Sequence, residues 1–179
     1  MVEIIGNENE FDDSKFISFC EENRFEFPKA YIEYLRADND SDLEANCVEL
    51  AGNDTSIRYF YGTSAQEYSD LKYTYDIFRD RLPLNCVPIA TDAFGNQFCI
   101  SLCAETYGKI YFWDHEVMDT NEGEKATLEI VDLIWVADSF DELCAKIKAA
   151  NADDIPHYSW LQAKWNRFVS WLRTLGNKL

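Results

Sequence analysis

Residues 87–114 read Val87-Pro88-Ile89-Ala90-Thr91-Asp92-Ala93-Phe94-Gly95-Asn96-Gln97-Phe98-Cys99-Ile100-Ser101-Leu102-Cys103-Ala104-Glu105-Thr106-Tyr107-Gly108-Lys109-Ile110-Tyr111-Phe112-Trp113-Asp114. Val87 to Ala90 is a short apolar run, and Phe94-Gly95-Asn96 follows as a turn whose Gly and Asn accept positive φ. Phe98 to Cys103 returns, Tyr107-Gly108 turns again, and Lys109 to Asp114 is the next run. Short β-forming segments joined by tight turns predict antiparallel strands in a meander. After the polar loop Thr120-Asn121-Glu122-Gly123-Glu124, the segment Leu128 to Val136 extends the same pattern.

Helical periodicity flanks this meander. Asp12-Asp13-Ser14 offers N-caps for a helix over about 14–23, with Phe16, Phe19 and Cys20 on one side. Phe27-Pro28 opens a second helix, where the missing proline N–H costs nothing. Tyr31, Ile32, Tyr34 and Leu35 make it apolar on one side. Cys47 to Leu50 and Ile57 to Tyr61 read as strands, with Asn53-Asp54 as a turn between them. Ser64 to Arg81 reads as a helix that stops before Pro83. Ser139-Phe140-Asp141-Glu142 has the spacing of a capping box, and its helix runs to about Ala150 with Phe140, Leu143, Cys144 and Ile147 inward. These elements predict an α+β fold: a central, mostly antiparallel sheet of about six strands flanked by helices.

A break at Ala152 to Pro156 separates a last segment, Tyr158 to Leu175, that has the pattern of an amphipathic helix. The expected division is therefore 1–150 for the domain and 151–179 for an appended helix. Residues 157–179 carry Lys164, Arg167, Arg173 and Lys178 and no acid. Trp160, Trp165 and Trp171 give this helix an apolar side, expected to dock on the acidic domain; a homodimer seam or partner-facing helix and a membrane-surface helix are the alternatives.

The chain has 179 residues, with 33 Asp and Glu against 16 Lys and Arg, for a net charge of −17. Without the tail, 12 bases face 33 acids over the first 156 residues. Phosphate backbones and anionic lipid surfaces repel such a chain, so neither nucleic acid nor membrane is an expected partner. A basic protein is attracted to it, chiefly through faster encounter. Met1 to Gly6 has no basic leader pattern, and no run of about 18 apolar residues occurs, so the expectation is a cytoplasmic protein. The six cysteines contain no Cys-x-x-Cys pair and read as reduced small hydrophobes.

Catalytic and metal signatures are sparse. The two histidines are His115 and His157. No nucleophile elbow, P-loop or His-Glu-x-x-His occurs, and no cofactor or metal site is expected. Asp114-His115-Glu116 is the densest titratable cluster; it suits acid–base work, or equally a strand end in which Asp114 bonds loop amides. Asp92 is a turn former or a contact residue. The acidic stretches Asp38 to Glu44 and Asp119 to Glu124, the latter including Glu122, are solvated loops and natural surfaces for a basic partner.

Four motifs, in order, resemble the SUKH superfamily. They are Phe27-Pro28-x-x-Tyr31-x-x-Tyr34-Leu35, Val87-Pro88-Ile89-Ala90-x-Asp92-x-x-Gly95-Asn96, Gly108-x-Ile110-Tyr111-Phe112-Trp113-Asp114-His115, and Val136-Ala137-Asp138-Ser139-Phe140-Asp141-Glu142-Leu143. The resemblance covers about residues 10–150. Ala37-Asp38-Asn39-Asp40 departs from it, because the family often has Asn-Gly-Gly there. The resemblance implies an α+β fold and a bacterial immunity protein that binds and neutralises a toxin delivered by a neighbouring cell. The turn, the titratable cluster and the acidic loop together make Asp92, Asn96, Asp114, His115, Glu116, Asp119, Glu122 and Glu124 the candidate partner-binding residues. The competing readings are a regulatory scaffold of the same fold, as in fungal members, and an enzyme using Asp92, Asp114 and His115.

Overall fold

Helix α1, Asp13–Asn23, begins where the Asp12 carboxylate accepts the Lys15 amide at 3.0 Å. It ends at Arg24 in the left-handed region (φ 59°), and the Phe25 amide bonds back to the Cys20 carbonyl at 2.9 Å. Helix α2, Lys29–Ala37, follows Pro28 and buries Tyr31 and Leu35, one turn apart. The computed structural model describes residues 10–39, 46–50, 53–64, 66–115 and 129–149. All lie in the compact unit Met1–Ala149. The segment expected to carry Trp160, Trp165 and Trp171 lies outside the described residues.

The strands are β1 (Asn46–Leu50), β2 (Asn53–Thr55), β3 (Tyr59–Phe60), β4 (Cys86–Thr91), β5 (Gln97–Ser101), β6 (Ile110–Trp113), β7 (Ile134–Ala137) and β8 (Lys148–Ala149). Two sheets form among the described residues. The larger is a five-stranded antiparallel meander in the order β3-β4-β5-β6-β7; the smaller has the order β2-β1-β8. The α+β class and the meander are as the sequence predicts. The single sheet of about six strands is corrected, because β1 pairs with β2 and β8 instead of joining the meander. Pro88 sits inside β4 beside a register shift, where a missing N–H is tolerated.

Four other boundaries differ from expectation. The helix expected over Ser64 to Arg81 is a 3-10 turn, Glu67–Ser69, and then helix α3, Leu71–Phe78. Asp70 divides them: it caps the Tyr73 amide at 2.8 Å and pairs with Lys15 of α1. The strand expected from Leu128 starts only at Ile134. Before it, Glu129 and Asp132 cap each other's amides around a 3-10 turn, Ile130–Asp132. Asn53 and Asp54, expected in a turn, belong to β2. Helix α4, Phe140–Lys146, ends short of Ala150 because the chain turns extended at Ile147 and pairs with β1 as β8. Ser139 caps α4 as expected, although Glu142 accepts from the Asp138 amide, one residue before the cap.

The meander alternates two faces, the period-2 signature of a buried strand. Val87, Phe98, Ile100, Ile110 and Phe112 pack with the helices. Phe140 joins α4 to this cluster, with ring centroids 5.1 Å from Tyr31, 5.1 Å from Tyr34 and 5.8 Å from Phe60. On the opposite face Cys86, Cys99, Tyr111 and Trp113 form a second cluster with Leu82 and Leu133. Cys20, Cys86 and Cys99 serve as apolar filling; Cys144, expected inward, is exposed. No helix among the described residues is long and apolar enough to cross a membrane.

Candidate functional site

The β4–β5 hairpin brings Thr91 opposite Gln97, and Gln97 pairs in turn with Trp113 of β6. Asp92, Asn96 and His115 therefore meet at one end of the sheet. Gly95 takes φ 86°, where a side chain is strained, and its missing Cβ would lie 3.5 Å from His115 Cε1. Glycine is thus favoured by the turn's φ, while the imidazole lies at ordinary contact distance.

Asp92 is only 2 % exposed. Its Oδ1 accepts the Phe94 amide at 2.7 Å and the Asn96 amide at 2.9 Å. Its Oδ2 accepts Asn96 Nδ2 at 2.8 Å and the Thr55 hydroxyl at 3.3 Å. A buried carboxylate is costly unless its lone pairs are filled, and here two atoms take four donors. Asn96 is wholly buried, and its Oδ1 lies 3.0 Å from His115 Nδ1. Because Asn96 Nδ2 donates to Asp92, its Oδ1 accepts, and His115 Nδ1 is the donor in this network.

A second layer supports the turn. Gln97 Nε2 donates to the Gly95 carbonyl at 2.6 Å, and the Tyr61 hydroxyl donates to Gln97 Oε1 at 2.7 Å. The Thr91 hydroxyl donates to the Asn96 carbonyl at 3.0 Å. Burial pushes the Tyr61 phenol far above its ordinary range, so it stays a neutral donor. Arg81 lies 4.7 Å over the Trp113 ring and reaches the His115 carbonyl at 3.5 Å.

Among the residues named from sequence, Asp92, Asn96 and His115 form one bonded chain, with Asp114 beside them on the strand end. Glu116, Asp119, Glu122 and Glu124 lie outside the described residues. Sequence reading missed Thr55, Tyr61, Arg81, Thr91 and Gln97. Gln97 carried a signal, because it is a polar residue opening an apolar strand; Thr55 and Tyr61 carried none, because they come from distant elements. The bonded chain orients an imidazole, yet its carboxylate is spent on the turn's backbone amides, Asn96 and Thr55, and its amide on Asp92 and the imidazole. Among the described residues no group of three or more His, Cys, Asp or Glu converges as metal ligands.

The model of the SMI1 / KNR4 family (SUKH-1) matches residues 11–146, from the start of α1 to the end of α4. A relative, the SPbeta prophage-derived uncharacterized protein YokK of Bacillus subtilis (strain 168), is 36% identical over 92 residues. That match covers 51% of this chain and 41% of the relative, so the chain spans less than half of that protein's length. With three-quarters of its length matched, and the hairpin, the β6 strand and the α4 cap all inside the match, the chain belongs to the SMI1 / KNR4 family (SUKH-1).

Proposed function

We propose that this protein is an immunity protein: a stoichiometric, non-catalytic binder that occludes a basic toxin, nuclease-like in charge, inside the cytoplasm of the cell that makes it. The observation that carries the reading is family membership over residues 11–146 combined with a net charge of −17. A prophage-derived relative fits a setting of competing genetic elements. The bonding of Asp92 and Asn96 supports a binder over an enzyme, because their polar atoms hold a turn rigid and rigid loops lose less entropy on association. Excess acid attracts a cationic partner over a Debye length and speeds encounter before the toxin acts.

The test is co-expression with the protein encoded immediately upstream. That protein alone should arrest growth, and this chain should restore it through a 1:1 complex whose association rate falls steeply with salt. Charge reversal at Asp119, Glu122 and Glu124 should slow association and leave unfolding unchanged; an unchanged rate removes those loops from the contact surface. Failure of the chain to restore growth, with both proteins expressed and folded, overturns the reading.

A further inference from the structure

The first two helices leave a groove of about 520 Å³ between them, lined by Phe16, Cys20, Phe27, Ile32, Glu26 and Tyr107 among others. Its lining is mixed: Phe16, Phe27 and Ile32 lie alongside the charged side chains Glu26, Lys29, Glu33 and Arg36. Phe16 and Phe27 are almost fully buried, with ring centroids 5.4 Å apart. Burial pushes the Cys20 thiol up to about 11, so it lines the groove as a neutral, weakly polar group. Tyr107 closes one end. It belongs to the β5–β6 turn, and the neighbouring Gly108 (φ 80°) brings that turn against Pro28, at the start of α2: a Cβ on Gly108 would lie 3.4 Å from the proline ring. Tyr107 nevertheless keeps 46 % of its surface exposed.

The charges at the rim are unequally satisfied. Lys29 pairs with Glu33 at 3.0 Å, and Arg36 pairs with Asp13 at 2.7 Å. Glu26 has no ion pair among the described residues, and its charge adds to burial in raising the Tyr107 phenol. Exposed surface on Tyr107 and part-exposed Ile32, beside a carboxylate with no ion pair among the described residues, matches the two halves of a lysine or arginine side chain: a hydrocarbon stem and a cationic head.

We propose that this groove is the docking site for a basic amphipathic segment of the partner protein, with its apolar side on Ile32 and Tyr107 and a lysine or arginine head at Glu26. The inference rests on the immunity reading for the identity of the partner, and on groove shape and charge for its chemistry.

The test uses full-length protein and, as probe, a synthetic peptide of about 14 residues with leucines and lysines at helical spacing. A control peptide carries glutamate in place of each lysine. The lysine peptide should shift the backbone amide signals of Phe27, Ile32 and Tyr107, and the glutamate peptide should not. Glu26→Lys should weaken the lysine peptide about tenfold while leaving the thermal midpoint unchanged, and Tyr107→Ala should do the same. Absent shifts, or shifts centred elsewhere, overturn the proposal. Concentration-dependent groove shifts with no peptide present also overturn it, assigning the groove to a second copy. The growth assay decides separately: a rescue unaffected by Glu26→Lys removes the groove from toxin contact and leaves the immunity reading standing, whereas failed rescue by the wild-type chain sinks that reading while the peptide result still decides the groove.

Discussion

The Asp92 turn and the α1–α2 groove sit on the same domain and differ in how their polar groups are satisfied. The turn's Asp92 and Asn96 side chains are buried, and they bond to one another, to the turn's backbone, to Thr55 and to His115. The groove is open and of mixed polarity, and one of its charges, Glu26, lacks an ion pair among the described residues. A group whose bonds are already made has little left to offer a partner. One that is exposed and unmatched gains on contact. The contrast separates residues that hold the domain's shape from residues that can recognise something.

The sharpest way to break the contrast is Asp92→Ala. It strands two amides and the Asn96 side chain in a dry site, where each unsatisfied donor costs about 1–3 kcal/mol. The expected loss is about 3–5 kcal/mol of unfolding free energy by urea titration. A loss under about 1 kcal/mol would mean that the turn does not frame the domain. At the groove the reverse holds. Glu26→Lys should leave urea stability within about 0.5 kcal/mol and reduce partner affinity, since the side chain is exposed and has no ion pair or hydrogen bond among the described residues. A comparable loss of stability there would erase the distinction.

His115→Ala lies between the two. It removes one bond and leaves the buried Asn96 Oδ1 without that donor, so a cost of about 1–2 kcal/mol is expected. Growth protection should survive at permissive temperature; its abolition with binding intact would revive an enzymatic role for the histidine. Arg24→Gly should stabilise the protein by roughly 0.5–1 kcal/mol, because a glycine meets φ 59° without a Cβ penalty.

The smallest effect is a pH dependence at Glu142. Bonding to Lys146, then to the Asp138 amide, lowers its carboxyl below the usual glutamate range. A depressed folded value means that stability is present above the unfolded value and is lost as pH falls through the folded one. Wild type should therefore exceed Glu142→Gln at neutral pH, and the gap should close in acid. A gap that widened on acidification would contradict the bonding.

The same division explains what could be seen in the sequence. Local signals were legible. Asp12 and Ser139 announced helix starts, and Gly95-Asn96 announced the hairpin, because caps and turns act within about four residues. The run Leu128 to Val136 looked like one strand since its composition is apolar, but Val131 is 79 % exposed and the Glu129–Asp132 reciprocal cap turns the chain before Ile134. The helix break at Asp70 was hidden because the ion pair that favours it comes from Lys15, far back in the chain. The groove was invisible for the same reason: Tyr107 reaches α2 only through the β5–β6 turn, a contact that no local pattern encodes.

The most direct test of the account is recovery of the tagged full-length chain from its own cells in low and in high salt, with bound proteins identified and quantified by mass spectrometry. The account predicts one basic protein at near 1:1 stoichiometry in low salt, depleted in high salt, and encoded beside this gene. Recovery of the chain with only itself, or with several unrelated cytosolic proteins regardless of salt, would contradict it.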